Sequence, residues 1–152
     1  MLYEIITNQV LVARLCAWAV AQLIKVCVTL VKEKRLDLRY LVISGGMPSA
    51  HSALVSALAT SVAIIQGLGS VAFGITAILA LVVMYDAAGI RQSVGLQSVV
   101  LNRIVKELRS RRPIAELERD LREFIGHTPF QVIAGAALGI VVAWLWIIIT
   151  TI

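Results

Sequence analysis

The chain has 152 residues, of which 59% are hydrophobic and 15% charged, with a formal net charge of +5 and a mean hydropathy of +0.90. A soluble domain is nearer half apolar and a quarter charged, so this composition excludes an ordinary soluble core and predicts a protein whose solvent is the bilayer. The length suits one domain, residues 1–152. The basic residues are expected to set orientation in a membrane and to meet anionic headgroups, and not to bind nucleic acid.

Four apolar runs predict an all-α integral membrane protein with about four transmembrane helices. The predicted spans are residues 5–31, 49–66, 70–87 and 129–151. The first run stops at the charge cluster of residues 32–35, which cannot enter lipid. Residues 66–70 carry two glycines and a serine and predict a tight turn, so the second and third runs are expected to form a helical hairpin.

Residues 92–125 differ from the rest of the chain in being rich in arginine, with apolar residues recurring at helical spacing. Pro113 divides this segment. The pattern predicts two amphipathic helices that lie on the membrane surface or cap the bundle. Nearly every Lys and Arg falls either here or just after the first run, so the positive-inside rule places both connections in the cytoplasm and both termini outside.

This topology brings three polar segments to one face of the membrane. They are residues 48–51, 86–91 and 126–129. Because the orientation was derived from charge alone, their convergence is independent support for a functional site on the cytoplasmic face.

The two histidines, His51 and His127, each lie near the predicted start of a helix. Pro48 and Pro129 suit a first helical turn, and Thr128 suits an N-cap. A helix start offers backbone N–H groups and a positive dipole, which favour anions such as phosphate. A single histidine at the membrane boundary is as often an amphipathic boundary residue as a functional one, but two in such starts on one face favour a site.

Glycines precede the first of these histidines. Gly45 and Gly46 allow the backbone to approach a ligand closely, and Ser49 lies beside them as a candidate phosphate-binding residue. The sequence offers no Asp/Glu/His cluster of the kind that holds a metal, so neither a metal nor another cofactor is expected.

Other charged residues border the apolar runs. Asp86 ends the third run, where a helix C-terminus favours cations, so we expect it to have a partner, with Arg91 as the obvious one. Lys25 lies about two turns inside the end of the first run. It could extend to the interface, as such lysines commonly do, or face the bundle and bind phosphate.

Small residues in the apolar runs predict packing. Gly135 and Gly139 form a small-xxx-small pattern that predicts close helix contact, either within the chain or between copies in a homo-oligomer. Cys16 and Cys27 are expected to be free, buried thiols that pack as small apolar groups.

Three segments carry a resemblance to a known family: Ser44-Gly-Gly-Met-Pro-Ser-Ala-His-Ser-Ala53, Met84-Tyr-Asp-Ala-Ala-Gly-Ile-Arg91 and Gly126-His-Thr-Pro129. With them, nearly the whole chain resembles the divergent phosphatidic-acid-phosphatase-related family of small bacterial and plant membrane proteins, which are often called acid phosphatase or vanadium-haloperoxidase related. The resemblance implies a phosphatase-like membrane protein, and we expect it in the plasma membrane of a bacterial cell.

The larger superfamily uses the motifs Lys-x6-Arg-Pro, Pro-Ser-Gly-His and Ser-Arg-x5-His-x3-Asp. Residues 48–51 resemble the second motif, with Ala50 in place of Gly, and the resemblance implies that His51 is the general acid. It likewise implies that His127 is the nucleophile that forms a phosphohistidine.

The chain departs from the other two motifs. Gln131 stands where the last motif has its acid, and Leu121 stands where that motif has its arginine. Residues 32–39 have the spacing of the first motif, but Tyr40 follows in place of Pro. Asp86 is the substitute that we consider for the orienting carboxylate, and Arg91 with Lys25 or Arg39 for the phosphate clamp.

The favoured function is therefore a phosphatase that cleaves a lipid phosphate or diphosphate, with an anionic lipid in the membrane as its partner. The alternative is a membrane protein that binds an anionic lipid or phosphate without cleavage and serves transport or assembly. The amide of Gln131 favours this alternative, because it cannot stabilise an imidazolium by charge. A third reading is a structural subunit without a site, which Lys25 and Asp86 would support by pointing at lipid or bulk water.

Overall fold

The computed structural model of the protein describes residue 3 and residues 7–34, 46–89, 97–99, 101 and 128–151. Four helices account for most of these residues. They are α1, Gln9–Glu33; α2, Ala50–Gln66; α3, Val71–Ala88; and α4, Pro129–Thr151. The all-α membrane fold predicted from composition is confirmed.

Helices α1, α2 and α3 begin at side-chain caps that the sequence supplies locally. Asn8 caps α1 through Leu11 N, Ser49 caps α2 through Ser52 N, and Ser70 caps α3 through Phe73 N. Each cap satisfies one of the backbone donors that a helix start leaves without an intrahelical acceptor. The C-terminal end of α1 is closed by Lys34, which has φ 52° and donates its N–H to Leu30 O over 2.9 Å.

Neighbouring side chains show how the helices run. Ala21 packs against Ala50 and Ala53, whereas Ala17 packs against Ala57, so α1 and α2 are antiparallel. The Gly67–Ser70 turn reverses the chain again. Ser56 Oγ donates to Met84 Sδ over 3.8 Å across the resulting α2–α3 hairpin.

The last helix lies parallel to α2. A Cβ added at Gly135 would overlap the Ser49 carbonyl, and one added at Gly139 would overlap the Ala53 carbonyl. Ala143 then meets Ala57 in the next layer. The end of α1, the start of α2, the end of α3 and the start of α4 therefore share one end of the bundle.

Helix α2 is the centre of the bundle, because it packs against each of the other three helices. Eight of its residues are buried: Ala50, Ser52, Ala53, Val55, Ser56, Ala57, Ser61 and Val62. Helix α3 buries only Ala80 and Ala87 and leaves large apolar side chains such as Ile75 and Val82 exposed. Exposed apolar and buried small or polar residues are the arrangement expected where lipid is the solvent.

Within the described residues, three stretches are long and apolar enough to cross a membrane: Gln9–Val31, Val71–Ala88 and Pro129–Thr150. Ala50–Gln66 is apolar but shorter, with 17 residues that rise about 26 Å against a hydrocarbon core of about 30 Å. The four-span topology and its cytoplasmic orientation stay predictions. The predicted amphipathic segment, 92–125, lies outside the described residues except for residues 97–99 and 101, which are helical.

Helix α1 begins at Gln9, at the cap that Asn8 supplies. Residue 5, where the predicted first span begins, lies outside the described residues. One detail differs from the sequence predictions. Pro48 is not in the first turn of α2: Ser49 is the N-cap and the helix begins at Ala50, so the proline belongs to the bend that precedes the cap, where its peptide bond to Met47 is cis. Pro129 does begin α4, as predicted.

Candidate functional site

The start of α2 is built from buried hydroxyl groups. Ser49 and Ser52 are both fully buried. Ser49 Oγ accepts the Ser52 N–H over 3.4 Å and the Ser52 hydroxyl over 3.0 Å. This arrangement fixes the first turn of α2. The backbone N–H groups of that turn form the positive end of the helix dipole, and they lie at the end of the bundle where α1 and α3 end and α4 begins.

Lys25 lies against the segment that leads into this turn. A Cβ on Gly46 would be 3.2 Å from Lys25 Cγ and 3.3 Å from Cδ, so the lysine stem packs directly on the glycine. Gly46 also has φ +79°, a conformation that side-chain-bearing residues rarely adopt. Both the positive φ and the close approach of Lys25 therefore favour glycine at this position.

Burial decides between the two interpretations of Lys25. The residue is 2% exposed, so it does not extend to bulk water and instead faces the bundle. A charged side chain inside a membrane bundle is costly, by about 2.5–3.5 kcal/mol on insertion scales, and such residues usually mark functional sites. Its burial argues against a structural subunit without a site.

The start of α4 is closed by a reciprocal capping box. Thr128 N–H donates to Gln131 Oε1 over 3.0 Å, and Gln131 N–H donates to Thr128 Oγ1 over 3.4 Å. Thr128 is therefore the N-cap that the sequence predicted. Gln131, the residue in the place of the superfamily's acid, fills the third helical position, where a capping box takes Glu or Gln.

One backbone hydrogen bond ties the two helix starts together. Ser49 N–H donates to the Gln131 carbonyl oxygen over 3.0 Å. The missing side chain of Gly135, one turn further along α4, admits the Ser49 backbone. The segment that contains His51 and the residue that follows His127 are consequently held side by side, as the charge-derived topology predicted.

The remaining candidate residues divide into described and undescribed ones. His51 is the second residue of α2 and is exposed, and Asp86 is half-buried in the last turn of α3, at the same end of the bundle. Their proposed roles, acid and orienting carboxylate, stay predictions. Four candidates, His127, Arg39, Gly45 and Arg91, lie outside the described residues.

Gly135 and Gly139 are used within the chain, because α2 lies against them. The surface around these glycines is already covered by α2 and is not open to a second copy of the chain. A homo-oligomer therefore stays a prediction, and it would have to form through another surface. Cys16 and Cys27 are free thiols, but Cys16 is half-buried and Cys27 is exposed, so the predicted burial of both is wrong. No group of three or more His, Cys, Asp or Glu side chains in the described part of the chain is placed to hold a metal ion.

Sequence reasoning missed two residues of this region. Ser52 was not singled out, although its spacing of three from Ser49 would have placed it beside the cap. Gln131 was considered only as a lost acid, although Thr128-x-x-Gln131 matches the capping-box pattern and could have been recognised.

Comparison with known proteins gives two matches and one negative result. A family model described as the Divergent PAP2 family matches residues 6–142. The uncharacterized membrane protein YuiD of Bacillus subtilis is 40% identical over 146 residues, which cover 90% of this chain and 92% of that protein. No solved structure matches the chain. With a match from before the first helix to most of the last, the chain belongs to the Divergent PAP2 family of membrane proteins.

Proposed function

We propose that this protein is a membrane phosphatase that cleaves a lipid phosphate or diphosphate through a phosphohistidine intermediate. The observation that carries the proposal is the 3.0 Å bond from Ser49 N–H to the Gln131 carbonyl, which holds the start of α2, where His51 lies, against the start of α4, the helix that follows His127 in the sequence. Buried Lys25 lies beside the start of α2. Family membership supports the same class of reaction.

Phosphate binding is the first step of the proposed mechanism. The ammonium of Lys25 and the positive end of the α2 dipole offset the charge of the phosphoryl oxygens and stabilise the additional charge of the transition state. Arg39 and Arg91 complete the clamp. Gly45 and Gly46 let the backbone approach the ligand before Ser49.

The chemical steps use the two histidines. A ring nitrogen of His127 attacks phosphorus in line, the bond from phosphorus to the leaving oxygen breaks, and His51 gives that oxygen its proton. His51 then takes a proton from water, the resulting hydroxide attacks phosphorus, and the phosphorus–nitrogen bond breaks to release inorganic phosphate. Asp86 is proposed to orient His127, because Gln131 carries no carboxylate.

Phosphate release by the purified protein tests this proposal. We would measure it in detergent and in nanodiscs, against lipid phosphates and diphosphates, for the wild type, His127→Ala and His51→Ala. We expect turnover in the wild type, none in His127→Ala and at least about a 100-fold loss in His51→Ala, the usual contribution of general acid–base catalysis. Wild-type-like turnover in His127→Ala would disprove the mechanism.

Gln131 favours a second candidate function, binding of an anionic lipid or phosphate without cleavage, for transport or assembly. Its amide is committed to capping Thr128 N–H, so the position four residues after His127 offers no charge to an imidazolium. This function predicts no release across the panel by folded protein that still binds phosphatidic acid. Loss of phosphatidic acid binding in Lys25→Met would then indicate that Lys25 and the start of α2 bind the lipid without cleaving it.

A further inference from the structure

The end of the bundle opposite the candidate site also has polar atoms in its interior. Ser61 is 0% exposed, yet its hydroxyl oxygen has no hydrogen-bond partner within the described part of the chain. The same holds there for the buried indole nitrogen Nε1 of Trp146. A buried polar group without a partner lowers the stability of a fold, so two of them in one region point to a ligand that they bind.

Both atoms belong to one layer of the bundle. Trp146 packs against a cluster of buried alanines that includes Ala13 and Ala57. Ser61 follows Ala57 by one helical turn on the same face of α2. Arg14 follows Ala13 directly in α1. The layer therefore brings together side chains from α1, α2 and α4.

The three polar side chains also lie at the same depth. Arg14 is five positions after the first residue of α1, and Ser61 and Trp146 are each five positions before the last residue of their helices. Because α1 is antiparallel to α2 and α4, these three helix termini are at the same end of the bundle. Five residues of helix rise about 7.5 Å, so the three side chains begin at one level inside that end.

Arg14 adds a positive charge to this layer. It is half-buried and lies within Gln9–Val31, a stretch that is long and apolar enough to cross a membrane. A charged residue inside such a stretch is costly and usually has a partner or a functional role. Among the described residues the acids are Glu33 and Asp86, and both lie at the other end of the bundle. In that part of the chain, no carboxylate lies in the layer of Arg14.

We propose that Arg14, Ser61 and Trp146 form a second anion site, which takes a phosphate group. Guanidinium and indole N–H groups donate hydrogen bonds and accept none, and a hydroxyl can donate as well. The planar guanidinium matches the oxygens of phosphate, the anion that a bilayer supplies at its surface. A lipid headgroup and free phosphate offer the same oxygens to these donors.

This anion site is separate from the start of α2. Ser49 and Ser61 are twelve positions apart on the same helix, a distance of about 18 Å. None of the residues of the proposed phosphatase mechanism belongs to it. The anion site therefore does not depend on whether the protein is a phosphatase.

Thermal unfolding of Lys25→Met in dodecylmaltoside tests the proposal, because this background removes the other phosphate-binding cation and the detergent contains no phosphate. Dioleoyl phosphatidylglycerol should raise the unfolding temperature more than dioleoylglycerol, which lacks the phosphate. Titration should show affinity at least about 10-fold weaker when Arg14→Gln is added. Ser61→Ala should also weaken binding. Its matched control, Ser56→Ala, removes another buried hydroxyl of α2, one that is bonded to Met84, and should leave the affinity unchanged.

Inorganic phosphate distinguishes the two sources of the anion. Stabilisation by inorganic phosphate as well as by the lipid would mean that the site takes free phosphate, and stabilisation by the lipid alone would assign it to a headgroup. No stabilisation by either, or the same affinity with and without Arg14→Gln, would overturn the proposal.

A resonance of Trp146 gives a direct readout of contact. With ¹⁵N-labelled tryptophan, the indole N–H signal that disappears in Trp146→Phe should shift when the lipid or phosphate binds. The signals of Trp18 and Trp144, which are 42% and 53% exposed, should not shift in parallel. An unchanged Trp146 signal at saturating ligand, or equal shifts of all three signals, would also overturn the proposal.

Discussion

Helices α2 and α3 are neighbours of nearly equal length, with 17 and 18 residues, yet they occupy opposite environments. Helix α2 buries eight residues, three of them serines, whereas α3 buries two alanines. The more polar helix is inside and the more apolar one faces outward. In lipid there is no hydrophobic force to draw apolar side chains inward, so close packing and hydrogen bonding place small and polar residues at the interior.

The same comparison separates the two helix starts. Ser49 and Ser70 are both N-caps. Each follows a glycine that has a positive φ, Gly46 before Ser49 and Gly67 before Ser70. Only the start of α2 has Lys25 packed on its glycine and another helix bonded to its cap. The starts of α2 and α3 therefore share the same local structure, a glycine followed by a serine N-cap. The contacts with Lys25 and α4 make only the start of α2 a candidate site.

The largest expected effect comes from adding a side chain where α4 meets α2. Gly139→Val would drive a methyl group into the Ala53 backbone, which cannot move without parting the helices. We expect a loss of at least about 3 kcal/mol, enough to prevent isolation of folded protein. Gly74→Val on α3 has open space and should change stability by less than about 0.5 kcal/mol. Thermal unfolding and gel filtration in detergent measure both, and equal tolerance would refute the packing of α4 on α2.

Removing the charge of Lys25, which packs on the segment before α2, should lower ligand affinity more than it lowers stability. Lys25→Met keeps most of the apolar stem and deletes the ammonium. A hydrogen bond to a charged group contributes about 1.5–3 kcal/mol, so we expect a roughly 10- to 100-fold loss in kcat/KM or in phosphatidic acid affinity. Lys34→Met, at the exposed end of the same helix, should leave both unchanged. Similar losses in the two variants would point to general attraction of anions by the surface.

Substitutions at the two turn glycines, Gly46 and Gly67, distinguish the effect of backbone strain from the effect of the contact with Lys25. Gly46→Ala and Gly67→Ala both place alanine at positive φ, at a cost of about 1–3 kcal/mol each. The new methyl group presses on the Lys25 stem at 3.2 Å only in Gly46→Ala, since nothing lies within 4 Å at Gly67. Both variants should unfold at lower temperature, and only Gly46→Ala should lose phosphatidic acid affinity. Retained affinity in Gly46→Ala would show that the lysine position is not critical.

The smallest expected effect distinguishes the two N-caps. Ser70→Ala removes the capping bond from Phe73 N–H and an exposed bond from the Ser70 hydroxyl to the Gly67 carbonyl, and about 1 kcal/mol is typical for loss of such a cap. Ser49→Ala removes a cap and also the acceptor of the buried Ser52 hydroxyl, so its cost should be larger, about 2 kcal/mol. Urea or thermal unfolding in matched detergent compares the variants. A smaller cost for Ser49→Ala would mean that its bonds are not maintained in solution.

The amino-acid sequence predicted most of the fold because the bilayer imposes long apolar runs, and charges mark their ends. It also placed the Ser49 and Thr128 segments together, since that follows from topology. It could not decide whether Lys25 faces the bundle, because Gly46 contacts it only after the chain folds back. Nor could it choose between two uses of Gly135 and Gly139, as small residues favour contact within and between chains equally.

Trapping the phosphoryl group on the protein tests the central claim most directly. A radiolabelled lipid diphosphate suits this experiment, because its phosphate leaving group depends least on protonation and lets the first step proceed in His51→Ala. After a neutral quench and peptide mapping, we predict phosphohistidine at His127, more abundant in His51→Ala than in the wild type, and absent from His127→Ala. Phosphate release with no label at His127, or label at another residue, would contradict the account.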